Sequence, residues 1–529
     1  MFASLAVVTL HLFKLTHTLR YRLAFCTSLL IVSVCPVKAA TGTYLPNSTL
    51  YPRLIRLAHG PASSSGTIIG STAGNIFQST NGGSGWTFLG SVPTASGSTQ
   101  RCCGTIYEIP QAVGSLSAGT LLYAASYFSN STPAIEIYKS SDQGHTWIYY
   151  STPVVRGDSS HGLWEPEFTI ANDGALVMFW SDETDSCCSQ KLAQIRTYDG
   201  STWQSETNTV ASTIPSDRPG MAVVTKLPSG IFFMSYELCG PAACTVFYRT
   251  STDGWNFGSS SNVGTKIQTA SGQYFEHAPN NTWSPSVLSG NGATLLVGQV
   301  LHESNGSVSV NNGKVLFANL SSDGSGNWYT IAAPVQVPTA YDNYCPNYSS
   351  ALLPATDGSS ILEFASDYNA NNVCVTYFAS EAWNQLPADS TTYTFINQQA
   401  GMCLDDYGWG STNNTIADLW DCTGSVIQRW TVHNQGSGYF SVQNQYTGLC
   451  LDNTGGSANA GNLTTLWGCV NNNNQKWRFM DLGNGQYKLQ ATSFSDLMLD
   501  DTGGSTTHGT QLQVWTDNGL APQHWILQQ

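Results

Sequence analysis

Short apolar runs alternate with Gly- and Ser-rich turns along most of the chain, and one recurring phrase organises them. In this phrase a proline accompanies an apolar run of strand length, a glycine turn follows, and a second apolar run closes the unit. The stretch WEPEFTIANDGALVMFWSDE (164–183) is a full example. Apolar runs of this length, bounded by turn residues, predict β-strands rather than helices.

The phrase occurs six times, and successive copies are separated by 53 to 66 residues. Each period has room for four short strands and their turns. Six such sheets arranged around one axis make a six-bladed β-propeller, which is the predicted fold of this part of the chain. The prolines of the six copies are Pro52, Pro110, Pro166, Pro219, Pro285 and Pro346.

A second phrase, the Asp-box, lies between copies of the first. SSDQGHTW (140–147) is complete, and degraded copies occupy 79–86, 197–203, 251–257 and 321–328. We expect its polar side chains to satisfy the backbone of a turn between the outer strands of a blade, while the Trp packs between blades. The phrase is therefore interpreted as structural.

A different, threefold repeat fills the C-terminal part of the chain. Three segments each run from a Leu-Asp to a Gln-x-Trp, and in each the Asp precedes an intermediate Trp by fifteen residues. This pattern resembles the ricin-B-type β-trefoil lectins, and the resemblance implies disulfides Cys403–Cys422 and Cys450–Cys469. The three Asp–Trp pairs are Asp405 and Trp420, Asp452 and Trp467, Asp500 and Trp515.

These patterns predict an all-β chain with four segments. Residues 1–39 carry basic residues before an apolar run and are predicted to be a signal peptide, with an uncleaved anchor as the alternative. Residues 40–385 form the propeller, 386–392 a linker, and 393–529 the trefoil. The protein is therefore expected to be secreted and extracellular.

Charge and cysteine content narrow the partners. Without residues 1–39 the chain keeps 16 basic and 34 acidic residues, a formal charge of −18, which argues against nucleic acid or an anionic membrane as partner. Twelve cysteines and eight Asn-x-Ser/Thr sequons fit a disulfide-bonded glycoprotein. The adjacent pairs at 102–103 and 187–188 are interpreted as structural disulfides rather than metal ligands. No metal and no cofactor are predicted, and the chain is expected to be a monomer.

Candidate chemistry lies where the phrases begin. A propeller blade starts at the central axis, so polar residues there point into the central funnel. Paired carboxylates are the usual equipment for cleaving a glycosidic bond. The acids predicted to converge are Glu165, Glu167, Glu183 and Glu237, with Arg53, Arg218 and Ser284 at comparable points of their own phrases.

The motifs YPRL, GLWEPEF, FWSDE and DRPGMAVV…MSYE together resemble the family-93 glycoside hydrolases, which are exo-α-1,5-L-arabinanases. The resemblance covers roughly residues 45–385. It implies release of arabinobiose from the non-reducing end of arabinan with retention of configuration. By motif match Glu165 is the acid/base, Glu237 the nucleophile and Glu167 a supporting carboxylate, while Arg53, Glu183 and Arg218 are assigned to substrate binding.

Two alternatives stay open at this stage. A sialidase shares the propeller and the Asp-boxes but needs three arginines, and no arginine lies between Arg249 and Arg429 to supply the third. A non-catalytic glycan-binding propeller requires the funnel acids to be structural. In that case the acids simply pair with Arg53 and Arg218.

The trefoil is predicted to bind sugar rather than to cleave it. In ricin-B-type sites an Asp accepts sugar hydroxyls, an aromatic ring stacks on the sugar face, and an Asn–Gln pair completes the contacts. Only the middle repeat keeps the whole set, since Ile427 and Pro522 replace the Asn elsewhere. The expected partner is plant cell-wall polysaccharide, arabinan or pectin side chains, bound by Asp452, Trp467, Asn474 and Gln475.

Overall fold

The computed structural model describes residues 40–529 apart from 61–65, 270, 287–288, 327, 384–385, 437, 484 and 493–495. The predicted signal peptide lies outside the described residues. Within them the chain forms strands joined by turns and short 3-10 segments, without any α-helix. A search of these residues for a helix long and apolar enough to cross a membrane finds none.

The N-terminal domain consists of six antiparallel sheets, which are the blades of a propeller. Blades 1 to 3 contain β2 (Pro52–Arg56), β3 (Ile68–Thr72), β4 (Asn75–Ser79) and β5 (Thr87–Ser91); β6 (Ser98–Glu108), β7 (Leu121–Ser129), β8 (Thr132–Ser140) and β9 (Ile148–Val155); β10 (Leu163–Ile170), β11 (Leu176–Asp182), β12 (Lys191–Thr197) and β13 (Thr207–Val210). Blades 4 to 6 contain β14 (Arg218–Lys226), β15 (Phe232–Cys239), β16 (Thr245–Ser251) and β17 (Thr265–Lys266), extended by β18 (Tyr274–Glu276) and β21 (Val300–His302); β19 (Asn280–Ser286), β20 (Ser289–Val297), β22 (Val315–Asn319) and β23 (Tyr329–Ala332); β24 (Ala351–Pro354), β25 (Ser360–Tyr368) and β26 (Cys374–Ala382).

A strand from the start of the described chain completes the last blade. β1 (Thr43–Tyr44) pairs antiparallel with β26, with Thr43 opposite Phe378 and Tyr44 opposite Tyr377. The sixth sheet thus takes its outermost strand from the opposite end of the propeller sequence, which closes the ring and covers an otherwise open sheet edge.

The complete Asp-box forms the turn between β8 and β9, as predicted. Gly144 N–H donates to Ser140 Oγ at 2.9 Å, and Thr146 Oγ1 donates to Asp142 Oδ2 at 2.6 Å. Trp147 donates its indole N–H back to the carbonyl of Gly144 at 3.0 Å and is buried in a cluster shared by blades 1 and 2. The phrase is fully used by the fold, which leaves no part of it for chemistry.

The C-terminal domain is a closed trefoil, in which the first and last strands pair. Its strands are β27 (Thr391–Asn397), β28 (Cys403–Asp406), β29 (Thr415–Trp420), β30 (Trp430–Asn434), β31 (Tyr439–Asn444), β32 (Leu449–Asn453), β33 (Asn462–Gly468), β34 (Trp477–Gly483), β35 (Gln486–Ala491), β36 (Leu497–Asp500), β37 (Thr510–Gln511), β38 (Gln513–Thr516) and β39 (Trp525–Gln528). Short 3-10 segments lie at Tyr407–Trp409, Val426–Gln428, Thr454–Gly456, Asn473–Gln475, Thr502–Gly504 and Ala521–Gln523.

The threefold repeat is visible in the core of the trefoil. The closing tryptophans Trp430, Trp477 and Trp525 are fully buried. Each donates its indole N–H to a leucine carbonyl of its own repeat, at 3.0, 3.1 and 3.2 Å. The Gln-x-Trp signature is therefore a packing device, since it satisfies the one polar group of a buried tryptophan.

All twelve cysteines of the described chain form disulfides. The implied within-repeat bridges are confirmed, and the adjacent pairs are disulfides as interpreted. Two further bridges were left unassigned from the sequence. The six pairs are Cys403–Cys422, Cys450–Cys469, Cys102–Cys103, Cys187–Cys188, Cys239–Cys244 and Cys345–Cys374.

The sequons differ in accessibility. Asn319 and Asn347 are buried, and the Asn347 amide donates to the carbonyl of Gly298 at 3.0 Å. A glycan cannot be attached at either position without unfolding the surrounding strands. Asn47, Asn130, Asn305 and Asn413 are exposed and are the sequons that the fold presents to solvent.

Candidate active site

Every blade begins with a non-glycine residue in the left-handed region, at or just before the innermost strand. These residues are Tyr51, Cys103, Glu165, Met221, Ala278 and Asn347, with φ between 46° and 64°. Such a conformation is unfavourable for a residue with a Cβ, so a surrounding structure must hold it in place. Four of the six pack together in one buried cluster, which makes them the floor of the funnel.

The bulge at Glu165 explains how a carboxylate stands inside an otherwise apolar strand. The register between β10 and β11 shifts between Trp164 and Glu167, so an extra residue turns toward the funnel. Glu165 Oε2 accepts hydrogen bonds from Ser181 Oγ at 2.6 Å and from Met221 N–H at 3.1 Å. Burial, together with the nearby charge of Glu237, raises the pKa of Glu165 to about 7. At neutral pH this carboxyl is therefore both proton donor and proton acceptor.

Glu167 leaves the same bulge in another direction. Its Oε2 accepts from Thr105 Oγ1 of blade 2 at 3.0 Å. Burial raises the pKa of Glu167 to about 7, although the charge of Arg53 opposes the increase. Both acids therefore contact blade 4, Glu165 through Met221 N–H and Glu167 through Val224 N–H, but only Glu167 also bonds to Thr105 of blade 2.

Glu237 comes from the second strand of blade 4 and reaches the same part of the funnel. Its cross-strand partner is Gly220, which precedes the Met221 N–H bonded to Glu165. Glu237 is buried, and its Oε2 accepts from Ala278 N–H at 2.8 Å. The register between β14 and β15 shifts between Gly220 and Val223, which forms a second bulge at Met221. This Met221 bulge brings Glu165 and Glu237 together.

His277 is a neighbour of Glu237 that the sequence patterns missed. Its Nδ1 lies 3.4 Å from Glu237 Oε2, and its Nε2 lies 3.4 Å from Asp342 Oδ1. Although burial lowers it, the carboxylates of Glu237, Asp342 and Glu276 raise the pKa of His277. The His277 ring thus lies within ion-pair distance of Glu237. No motif marks this residue, because it lies in the insertion that extends blade 4.

Of the two predicted arginines, Arg218 pairs with one of the predicted acids, whereas Arg53 binds a serine. Arg218 forms an ion pair with Glu183 and donates to Gln190 Oε1 at 2.8 Å. Arg53 is buried and donates to Ser349 Oγ at 2.9 Å. Among the described residues, neither arginine forms an ion pair with Glu165 or Glu237.

Glu183 holds the start of strand β10 in place. Its second oxygen accepts from the Trp164 indole N–H at 2.8 Å and from Gly162 N–H at 2.9 Å. Burial opposes ionisation, but these bonds and Arg218 keep the pKa of Glu183 below its usual value. Glu183 and Arg218 thus form a fixed pair that orients Trp164 at the start of β10.

Two tyrosines line the site beside the carboxylates. Tyr348 and Tyr51 have ring centroids 6.2 Å apart, and the pKa of Tyr348 is raised by burial and by the charges of Glu237 and Glu165. Tyr51 lies under the Arg53 guanidinium, 4.2 Å from ring centroid to Cζ. Both phenols therefore stay neutral, and the Tyr348 hydroxyl donates to Met221 Sδ at 3.5 Å.

The position assigned to Ser284 is wrong. Ser284 lies near the far end of β19, where its hydroxyl donates to the carbonyl of Pro285 at 2.9 Å. The residue of blade 5 that corresponds to Glu165 is Ala278. The six prolines of the phrase in fact occupy two different places: Pro110 and Pro285 lie at the far end of the innermost strand, and the others at its beginning.

One cluster near Glu237 has the residue types of a metal site. Cys239, Cys244 and His277 place their donor atoms within 4.8 Å of one another. Cys239 and Cys244 are joined in a disulfide, so they offer no thiolate to a metal. Instead the bridge fixes the Cys244 carbonyl, which accepts from His277 N–H at 3.0 Å.

The four residues predicted for sugar binding in the trefoil do meet, but not all face solvent. Trp467 exposes 40% of its surface, whereas Gln475 is buried and its amide donates to Asp452 Oδ2 at 3.1 Å and to the Gly468 carbonyl at 3.0 Å. Gln475 thus positions Asp452. Asn474 packs against Gly456, where a Cβ would lie 2.3 Å from Asn474 Oδ1, so only glycine fits.

Comparison with known protein families supports the C-terminal assignment. Residues 391–527 match the model of the ricin-type β-trefoil lectin domain. No curated protein matches the chain.

Solved structures match the propeller. An α-L-arabinanase of Penicillium chrysogenum, complexed with arabinobiose, is 25% identical with a TM-score of 0.52, over 64% of this chain and 98% of that one. The GH93 α-L-arabinofuranosidase of Fusarium graminearum with arabinobiose is 23% identical with a TM-score of 0.53, over 64% and 94%. The same Fusarium enzyme with an iminosugar inhibitor gives 23% and 0.54, over 65% and 98%. The Fusarium structures support the fold alone.

Proposed function

We propose that this chain is a secreted, exo-acting, retaining glycoside hydrolase that releases arabinobiose from α-1,5-L-arabinan and is held on the polysaccharide by its trefoil. The observation that carries the proposal is the meeting of Glu165 and Glu237 at the Met221 bulge. Glycosidases cleave their substrates with two neighbouring carboxyl groups, one of which must carry a proton. Here the pKa of Glu165 is raised to about 7.

The structure favours catalysis over the non-catalytic alternative. In that alternative the funnel acids pair with arginines, and Arg218 does pair with Glu183. Among the described residues, however, Glu165 and Glu237 form no ion pair with either arginine, and Arg53 donates to Ser349. A sialidase-type clamp needs a third arginine, and none lies between Arg249 and Arg429. Similarity to the Penicillium arabinanase supports an arabinan substrate, and the six disulfides support an extracellular location.

In the proposed mechanism Glu237 attacks the anomeric carbon while Glu165 gives its proton to the leaving oxygen. His277 and the Ala278 N–H contact the Glu237 carboxyl and hold it in position before attack. After the leaving group departs, the Glu165 carboxylate takes a proton from water, which then displaces Glu237 from the sugar. Glu167, bonded to Thr105, supports the site.

The product profile on linear arabinan tests this proposal most directly. We expect arabinobiose to be the first and main product, with the anomeric configuration of the substrate. Release of a ladder of longer oligosaccharides would contradict exo action. A purified chain that leaves arabinan intact while cleaving another glycan would reject the proposed substrate.

The pH dependence follows from Glu165. The first step needs its protonated form, so raising the pH through its pKa of about 7 should lower kcat/KM, by about tenfold per unit well above that value. Initial rates on a short substrate between about pH 5 and pH 9 measure this limb. In Glu165→Gln the limb should disappear. Because Glu167 also has a pKa near 7, Glu167→Gln is the matched control and should keep the limb; loss of it there would reassign the acid.

Retention on polysaccharide tests the trefoil. Trp467→Ala removes an exposed stacking ring, and loss of such a ring costs on the order of 1–3 kcal/mol by analogy with base stacking. Binding to linear arabinan in affinity gels should therefore weaken by about fivefold or more, with cleavage of short substrates unchanged. Trp420→Ala in the first repeat is the control. Retention that survives Trp467→Ala but not Trp420→Ala would contradict the choice of repeat.

A further inference from the structure

One cavity of the trefoil surface lies away from the middle repeat. It has a volume of about 930 Å³ and lies at the third repeat, compared with about 470 Å³ at the first. Its walls come from both the propeller and the trefoil. Trp515, Asp500 and Leu520 of the trefoil face Val310 and Asn311, which belong to the propeller loop that follows β21.

The trefoil wall has the chemistry of a sugar-binding surface. Trp515 exposes 42% of its surface and so offers a stacking face. Asp500 Oδ1 accepts from Gln513 Nε2 at 2.8 Å, which fixes the carboxylate. The side-chain amides of Gln398 and Asn518 add donors and acceptors.

The charges of the cavity select a neutral ligand. Among its described lining residues no lysine or arginine occurs, while Asp500 and Asp501 are acidic. The remaining basic side chain is His524; burial and the nearby charge of Lys488 lower its pKa to about 3, so it is uncharged. An acidic sugar would be repelled by these carboxylates, since no positive side chain among the described residues lines the cavity to compensate its charge. A neutral sugar has no such electrostatic cost.

The propeller wall is exposed at its tip and held at its base. Val310 exposes 83% of its surface, and Leu520 opposite exposes 54%. The loop is anchored by Asn312, whose Oδ1 accepts from Leu301 N–H at 2.8 Å and whose Nδ2 donates to the Ala340 carbonyl at 2.7 Å. An exposed aliphatic side chain on an anchored loop is suited to packing against the C–H face of a sugar.

The same loop leads to the active site. It leaves the propeller at His302, whose Nε2 lies 2.5 Å from Glu276 Oε2, and Glu276 precedes the His277 that contacts Glu237. Eight residues separate His302 from Val310, so their Cα atoms lie at most about 28 Å apart. The loop therefore connects the cavity wall to the neighbourhood of Glu237 through a short stretch of chain.

We propose that the third trefoil repeat and the propeller loop 303–312 form one composite binding site for a neutral oligosaccharide segment of the polysaccharide being cleaved. The proposal rests on the proposed function for the identity of that polysaccharide. A segment held here raises the effective concentration of the same chain at the active site, because the second contact becomes intramolecular. The sequence did not indicate it, because Pro522 replaces the expected Asn and the propeller wall lies about 200 residues away along the chain.

The test uses the full-length chain carrying Glu237→Gln and Trp467→Ala, so that neither hydrolysis nor the middle repeat contributes. Affinity gels containing linear arabinan, or linear galactan as a second neutral polymer, measure retention. Adding Val310→Lys should weaken retention at least about fivefold, and Trp515→Ala should do the same. Val308→Lys is the matched control, since Val308 is also exposed but does not line the cavity, and it should retain like the parent.

Three outcomes would overturn the composite site: retention unchanged by Val310→Lys, retention lost equally with Val308→Lys, or no retention on either polymer. Loss with Trp515→Ala alone would leave an ordinary trefoil site without the propeller wall. Turnover of arabinan by the unmodified chain is scored separately. A chain that does not cleave arabinan but shows Val310-dependent retention on galactan would refute the proposed function and support the composite site.

Discussion

Glu237→Ala is expected to lower kcat on every substrate by at least about 10⁴-fold, because loss of an enzyme nucleophile has cost on the order of 10⁶ where it was measured. The described site holds no carboxylate able to take its place. Glu165 is bonded to Ser181 and the Met221 N–H, and Glu167 is bonded to Thr105 and the Val224 N–H. Without Glu237 no covalent intermediate can form, whatever the leaving group.

Turnover of linear arabinan and of an activated aryl arabinoside measures this loss. Added azide distinguishes the role of Glu237 from a general loss of structure: azide in the vacated space should attack the anomeric carbon directly and give a product of inverted configuration. Glu303→Gln, in the extension of the same blade, is the control and should stay active. A Glu237→Ala enzyme with more than about a tenth of normal activity would end the nucleophile assignment.

The blades were predictable because each one contains apolar runs of strand length, and these runs show which residues form each sheet. The funnel acids followed from their place in the repeat. What the pattern does not contain is the left-handed bulge that turns Glu165 inward, since its φ of 55° depends on packing around the floor of the funnel. The repeated phrase does not distinguish prolines at the beginning of the innermost strand from those at its far end. For this reason Ser284, which precedes a proline of the second kind, was predicted at the wrong end of its strand.

Other parts of the site depend on contacts between distant segments. His277 reaches Glu237 across forty residues and through an insertion without any repeat. The closing strand at Thr43–Tyr44 has only two residues, too few for a periodic signal. In the trefoil the predicted set assembles, but burial divides it: Trp467 faces solvent while Gln475 is locked beneath Asp452. Sequence patterns show which residues gather, and only packing shows which of them are free to bind.

Glu165→Ala is expected to have an effect that depends on the leaving group. For arabinan, whose leaving oxygen needs a proton, the rate should fall by about 10²- to 10⁴-fold, the usual contribution of a general acid. An activated aryl glycoside leaves without protonation, so formation of its covalent intermediate should be nearly unchanged. Rapid-quench measurement should then show a burst of released aryl group, followed by slow turnover as the intermediate accumulates.

Azide should restore the second step, because it attacks the intermediate without needing a base to deprotonate it. Its product should keep the configuration of the substrate, opposite to the product from Glu237→Ala. Glu167→Gln is the matched control: it lies two residues away in the same bulge with a similarly raised pKa, and it should keep substantial activity without azide. The assignment fails if Glu167→Gln is inactive while Glu165→Gln stays active, or if the first product from arabinan is inverted, since an inverting enzyme forms no intermediate for azide to intercept.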